Sequence, residues 1–195
     1  MIEQLILDMH ACGMIKFGEF TLKSGKKSYV YADIRTAISH PIIFQKLCDL
    51  IYDKMKNLTY DKICGVPYSA LTVASAIAYM HKIPMLLKRK EAKDYGTKKI
   101  LEGVYHKNDT CLIIEDVVTT GMSIGETTNV LEEHGIIIKD VITFIDRNQG
   151  GREKLESLGY TLHSIIDLYD VLEILQKNNK ISLEEKKRAI LLIGQ

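Results

Sequence analysis

Short runs of β-branched and other apolar residues recur along this chain, at residues 63–66, 83–87, 111–114 and 141–145. Each is too short for a buried helix, and stretches of helical spacing or polar turns separate them. Runs that are apolar on both faces are what a parallel sheet requires, because helices cover such a sheet on both sides. Residues 160–166 are read as a fifth strand, though Thr161, His163 and Ser164 interrupt its apolar residues. Residues 70–79 are small and apolar, as suits a packed helix, and a helical pattern over 122–134 stops at Gly135. Pro41 stands as a first-turn proline ahead of Ile42, Ile43, Phe44, Leu47, Leu50 and Ile51 at helical spacing. Ser182-Leu-Glu-Glu185 has the form of a capping box for a last short helix. The alternation predicts an α/β fold with a mainly parallel central sheet flanked by helices. With 195 residues and no repeat or linker, one domain over 1–195 is expected.

Among the strand-to-helix junctions, the one after residues 111–114 carries the most chemistry. Glu115 and Asp116 stand where that strand should end, and Thr119, Thr120, Gly121 and Ser123 follow before the helix. Ligands of open α/β sheets bind at the carboxyl ends of strands. Carboxylates can accept hydrogen bonds from sugar hydroxyls, while backbone N–H groups and hydroxyls at a helix start suit a phosphate. A ribose 5-phosphate would satisfy both. A plainer reading stands beside this one: Ser123-Ile-Gly-Glu126 also fits a capping box, and the two acids can be solvated loop residues. The turn contains no Gly-x4-Gly-Lys-Ser/Thr, and the chain has no Gly-x-Gly-x-x-Gly.

Residues 88–99 break the pattern, with Lys88, Arg89, Lys90, Lys93, Lys98 and Lys99 against Glu91 and Asp94. Such a run is either solvated surface or, lying between two buried strands, a long functional loop suited to a polyanion. The net charge of +1 gives no general attraction to nucleic acid or to a membrane surface. No apolar run approaches the roughly 20 residues that span a bilayer. Glu3 and Asp8 interrupt the N-terminal apolar residues, so no signal sequence is read there. Cys12, Cys48, Cys64 and Cys111 are scattered, three of them in apolar patterns, which fits thiols in a reducing, cytoplasmic setting. Neither these nor the six histidines show metal-ligand spacing, so no protein-built metal site is expected.

The strand, acid pair, Thr-Thr-Gly-x-Ser turn and helix together resemble the phosphoribosyl-diphosphate (PRPP) motif of the type I phosphoribosyltransferases. Phe17-Gly-Glu-Phe-Thr-Leu-Lys-Ser-Gly25, Gly65-Val-Pro-Tyr-Ser-Ala70, Arg89-Lys-Glu-Ala-Lys-Asp-Tyr-Gly96 and Ile145-Asp-Arg-Asn-Gln-Gly-Gly151 narrow the resemblance to the orotate phosphoribosyltransferases. It extends from about residue 14 to about residue 174 and is strongest toward the transferase half of fused UMP synthases.

The resemblance implies a small N-terminal hood and a flexible basic lid around the predicted sheet. It also implies transfer of the 5-phosphoribosyl group from PRPP to orotate, giving orotidine 5′-monophosphate and pyrophosphate in pyrimidine biosynthesis. Glu115 and Asp116 match the ribose-holding acids, and Val117, Val118, Thr119, Thr120, Gly121, Met122 and Ser123 match the 5′-phosphate loop. Lys93 matches the catalytic lid lysine, with Arg89, Lys90 and Tyr95 beside it. Tyr68 and Ser69 match the loop next to pyrophosphate. Lys23, Tyr31, Ala32, Thr119 and Arg147 match the orotate side, Lys23 also serving PRPP. Magnesium, bound largely by PRPP and water, is implied as cofactor. A homodimer with shared sites is implied as well, and a separate orotidine monophosphate decarboxylase is a candidate partner. Many bacterial relatives have lysine at the position of Ser69 and histidine at that of Tyr95, which loosens the roles of these two. A non-catalytic PRPP-binding regulator would not need Lys93 and Arg147, and a purine or uracil transferase would have little use for Arg147.

Overall fold

The computed structural model describes residues 1–21, 27–90 and 99–193. Helix α1 (Ile2–Ala11) buries Leu5, Ile6 and Met9 along one side and gives way to an antiparallel ribbon of β1 (Ile15–Thr21) and β2 (Lys27–Ala32). This ribbon is the hood. A 3-10 turn over Ile34–Ser39 leads into α2 (Pro41–Met55), which begins at the expected proline. Its buried row is Ile43, Leu47, Cys48, Ile51 and Met55, whereas Ile42 is 72% exposed. The apolar face is thus rotated from the one the sequence suggested.

The main sheet contains β3 (Lys62–Gly65), β4 (Met85–Lys88), β5 (Leu101–Glu102), β6 (Thr110–Val118), β7 (Ile137–Asp146) and β8 (Thr161–Asp167). Their spatial order is β5-β4-β3-β6-β7-β8, and every pairing is parallel except that of the short edge strand β5. β6 runs further than the apolar run predicted. Glu115 pairs with Thr143, Val117 with Ile145 and Val118 with Asp146, so the acids lie within the strand rather than past its end. The ladder to β7 continues while backbone partners remain, whatever the polarity of the side chains.

Helices α3 (Ser69–His81), α4 (Met122–Glu133) and α5 (Gly151–Ser157) connect the parallel strands. From β3 the chain crosses outward through α3 to β4. From β6 it crosses the other way through α4 to β7 and through α5 to β8. Right-handed crossovers in opposite directions put α3 and α4 on opposite faces of the sheet. The order therefore reverses between β3 and β6, and a crevice opens at their carboxyl ends. Helices α6 (Leu168–Lys177) and α7 (Leu183–Ile193) finish the chain, and α7 packs on β2. The guanidinium of Arg188 lies 4.7 Å from the Tyr29 ring centre and pairs with Glu19 at 2.6 Å, seating the hood. The expected capping box forms: Glu185 N donates to Ser182 Oγ (3.2 Å) and Ser182 N to Glu185 Oε2 (2.8 Å). No described helix is long and apolar enough to cross a membrane.

Candidate active site

The turn after β6 is shaped by close packing. Gly121 has φ +72°, where a side chain is strained, and it is the N-cap of α4. A Cβ on Gly151 would lie 2.4 Å from Val118 Cγ1 and 2.7 Å from the Thr119 carbonyl oxygen, so the start of α5 holds the turn from beneath. No side chain caps α4. Ser123 lies inside the helix and is exposed, and its capping box with Glu126 does not form. The first intrahelical bond runs from Gly125 N to Gly121 O at 3.0 Å, leaving the N–H groups ahead of it for an anion. Thr119 and Thr120 are half-buried, and Met122 is exposed. Val118 is buried and its carbonyl accepts from Arg147 N at 2.9 Å, so it forms the base of the loop.

Glu115 and Asp116 occupy successive strand positions and therefore point to opposite faces. Glu115 is 7% exposed and, among the described residues, accepts the Asp116 N–H at 3.0 Å. Burial, with the adjacent Asp116 charge adding to it, raises the Glu115 carboxyl well above the usual carboxylate range. Asp116 remains partly accessible.

Across the crevice, Gly65 ends β3. A Cβ there would come within 2.5 Å of the Ala70 carbonyl, so the turn into α3 folds back tightly onto the strand. The Pro67–Tyr68 peptide is cis. Tyr68 is the N-cap of α3, again with no capping side chain, and it is well exposed, while Ser69 is half-buried. Lys90 Nζ stands 5.6 Å from the centre of the Tyr68 ring, which brings the β4 exit over this turn. Arg89 is committed differently: its Nε and Nη2 reach Glu102 Oε1 at 3.0 and 2.9 Å. Lys93 and Tyr95 lie outside the described residues, as does Lys23.

Arg147, just past β7, is 3% exposed. It donates Nε to Gln149 Oε1 (3.0 Å) and Nη2 to Ser28 Oγ (2.8 Å) and Val30 O (3.1 Å), tying the sheet to the hood. No carboxylate among the described residues pairs with it, and burial lowers its pKa. Ser28, Val30 and Ala32 share one face of β2. Tyr31 alternates to the other, where its hydroxyl accepts from Arg35 Nη2 at 2.7 Å and its ring meets Phe20 at 5.3 Å. Ala32 therefore shares the Arg147 side of the ribbon, and Tyr31 does not.

Sequence reading missed three supports of this site. Ser28 lies 119 positions from Arg147. Gln149 orients the guanidinium, and since Arg147 Nε can only donate, the amide oxygen must face it. Its Nε2 is then buried without a partner. Asp146, 1% exposed, accepts from Asn148 N (2.9 Å) and Arg152 Nη2 (3.0 Å), bracing the loop. Asp146 and Gln149 fall inside the Ile145–Gly151 motif, the one available signal. Nothing in the sequence marks Ser28.

Taken together, two uncapped helix starts flank the reversal of strand order, with acids at the end of β6 and an acid-free guanidinium under the hood. Residues 36–168 match the family described as Phosphoribosyl transferase domain. The chain is 43% identical over 190 residues to a uridine 5′-monophosphate synthase of Bos taurus, covering 96% of this chain and 40% of that protein. It is 36% identical over 190 residues to an orotate phosphoribosyltransferase of Chlamydia caviae, covering 96% and 91% respectively. The solved UMP synthase of Leishmania donovani superposes with TM-score 0.90 at 30% identity, over 98% of this chain and 42% of that one.

Proposed function

The chain belongs to the phosphoribosyltransferase family, in its orotate phosphoribosyltransferase branch, and we propose that it converts orotate and PRPP to orotidine 5′-monophosphate and pyrophosphate. The carrying observation is the pair of helix starts, α3 and α4, left uncapped on either side of the β3–β6 crevice. One suits the 5′-phosphate and the other the pyrophosphate of a single ligand.

In this reading the turn from Thr119 to Ser123 fixes the 5′-phosphate through backbone N–H groups and hydroxyls. Glu115 and Asp116 flank the ribose from the two faces of β6 and hold its hydroxyls. Displacement at the anomeric carbon builds positive charge on the ribose and negative charge on the departing pyrophosphate. Tyr68, Ser69 and Lys90 line the pyrophosphate side, and Lys93, by its match to the family's catalytic lysine, would serve the same group. Arg147 spends Nε and Nη2 on the protein, which leaves Nη1 for the orotate carboxylate. With those donors fixed beforehand, the guanidinium needs little reorganisation when the anion arrives. Exclusion of water from the site matters, because water competes with orotate for the same carbon.

Among the described residues no group of three or more His, Cys, Asp or Glu could hold a metal. The accessible carboxylate of Asp116 suits magnesium that arrives on the polyphosphate. When bound, magnesium would neutralise part of the polyphosphate charge. A homodimer with shared sites, and docking onto a separate orotidine monophosphate decarboxylase, belong to the same proposal. The chain spans 40% of the bovine relative's length, and that protein's further activity is not carried over.

The test is the loss of orotate ultraviolet absorbance when the chain, PRPP and magnesium are combined, with uracil and hypoxanthine as controls. Orotate should be consumed and the other bases left. Consumption of hypoxanthine or uracil with orotate untouched would refute the assignment.

A further inference from the structure

Lys88, the last residue of β4, carries a charge that no described residue balances. It is 8% exposed, and no hydrogen bond or carboxylate reaches its ammonium among the described residues. A lysine stem of this length can lie buried while its ammonium reaches toward polar surroundings. The next two cations are differently placed. Arg89 is neutralised by Glu102, and Lys90 stands over the exposed ring of Tyr68.

Strand register fixes which way Lys88 points. Leu86 pairs with Cys64, and Cys64 with Ile113. Two residues further along each strand the row becomes Lys88, Val66 and Glu115, and the bond from Val66 N to Ile114 O at 2.9 Å continues the ladder. These side chains share one face. Burial pushes the Cys64 thiol up to about 11, tempered first by a hydrogen bond with the Lys88 backbone and then by the Lys88 charge. Lys88 and Glu115 are two strands apart, about 10 Å at strand spacings of about 4.8 Å. No ion pair joins them among the described residues. Two buried ionisable residues thus stand in one row at the carboxyl end of the sheet, one on either side of Val66.

We propose that Lys88 is a fixed cation of the polyphosphate site, binding an oxygen of the pyrophosphate group of PRPP while Glu115, in the same row, faces the ribose. This rests on the function proposed above and adds a residue to it. Because Lys88 is anchored in the sheet ladder, its charge is in position before any loop closes. Its contribution should therefore appear in binding more than in turnover.

Lys88→Met keeps the stem and removes the charge, while Lys88→Arg restores a cation. Magnesium pyrophosphate and, separately, ribose 5-phosphate are titrated calorimetrically into the full chain and both variants. Lys88→Met should weaken pyrophosphate binding and raise the KM for PRPP by about tenfold or more, the scale of one charge-assisted hydrogen bond. Ribose 5-phosphate affinity and the KM for orotate should stay within about twofold. Lys88→Arg should recover most of the loss. Unchanged pyrophosphate affinity in a folded Lys88→Met, or equal weakening of both ligands, would overturn the proposal. Should Lys88→Met not fold, Lys88→Gln is the replacement, and failure of both to fold would make the charge structural and also overturn it. A wild-type chain that binds pyrophosphate but consumes no orotate would refute the reaction while leaving this inference to the titrations. One that binds no pyrophosphate would refute both.

Discussion

Ser123-Ile-Gly-Glu126 and Ser182-Leu-Glu-Glu185 share a polar pattern, yet the chain treats them differently. At the start of α7, Ser182 and Glu185 satisfy each other's backbone N–H groups, and the helix end is self-sufficient. At the start of α4, the chain enters the helix earlier, through Gly121 at φ +72°, and carries Ser123 inside. What decides between them is tertiary. The Thr119–Gly121 turn is clamped against Gly151 and Leu155, so it cannot shift to put Ser123 at the cap. Helix α6 gives a third case: it follows β8 at the same sheet edge but away from the reversal, and Asp167 caps it by accepting from Asp170 N at 2.9 Å. Lack of a side-chain cap is not confined to the crevice, since α1, α2 and α5 have none either. What sets α3 and α4 apart is that they start at the carboxyl ends of β3 and β6, where the strand order reverses. An unsatisfied helix start needs an acceptor from water or a ligand, and of the uncapped starts this pair is the one that opens on the crevice.

The strongest way to break this contrast is to move the clamp. Gly151→Ala must displace Val118 or the Thr119 carbonyl. A displacement approaching 1 Å should cut kcat/KM for PRPP by about 100-fold. Overpacking should cost about 1–3 kcal/mol in urea unfolding. Retained activity would show that the turn's position does not matter. Smaller effects should separate the two serines. Ser182→Ala should lose about 1 kcal/mol of stability with unchanged kinetics. Ser123→Ala should leave stability alone and raise the KM for PRPP several-fold, and the reverse pattern would show that α4 is capped in solution. The smallest effect concerns pH. A carboxyl whose folded pKa is raised contributes stability that is full below the ordinary carboxylate range and is lost as pH rises through the folded value. Glu115 is such a group. Unliganded stability should therefore fall with rising pH above the acid range, and Glu115→Gln should flatten that fall. An unaltered slope in the variant would remove Glu115 as its source.

The parallel strands could be read from the sequence because burial on both faces leaves an unbroken apolar run, as at Ile113 and Ile114. Their ends could not, since β6 and β7 extend for as long as they find backbone partners, through Glu115 and Thr143 alike. The PRPP turn was readable as a motif, but whether Ser123 capped its helix was not, because Gly151 and Leu155 decide that from elsewhere in the chain. The same holds for Arg147. Its place in a motif was visible, whereas its hold on Ser28 joins residues with no local signal. Arg89 and Lys88 exchange emphasis for a similar reason: only folding brings Glu102 against one of them and, among the described residues, leaves the other unopposed.

The pairing of β3 with β6 joins Lys62 to Cys111 and Gly65 to Ile114, stretches of chain separated by α3, β4 and β5. Contacts that close so long a loop are slow to form. Until they do, the two anion cradles belong to separate pieces of chain with no shared geometry. During refolding, recovered turnover should therefore lag behind recovered helix content, reporting the arrival of the central strands rather than the secondary structure around them.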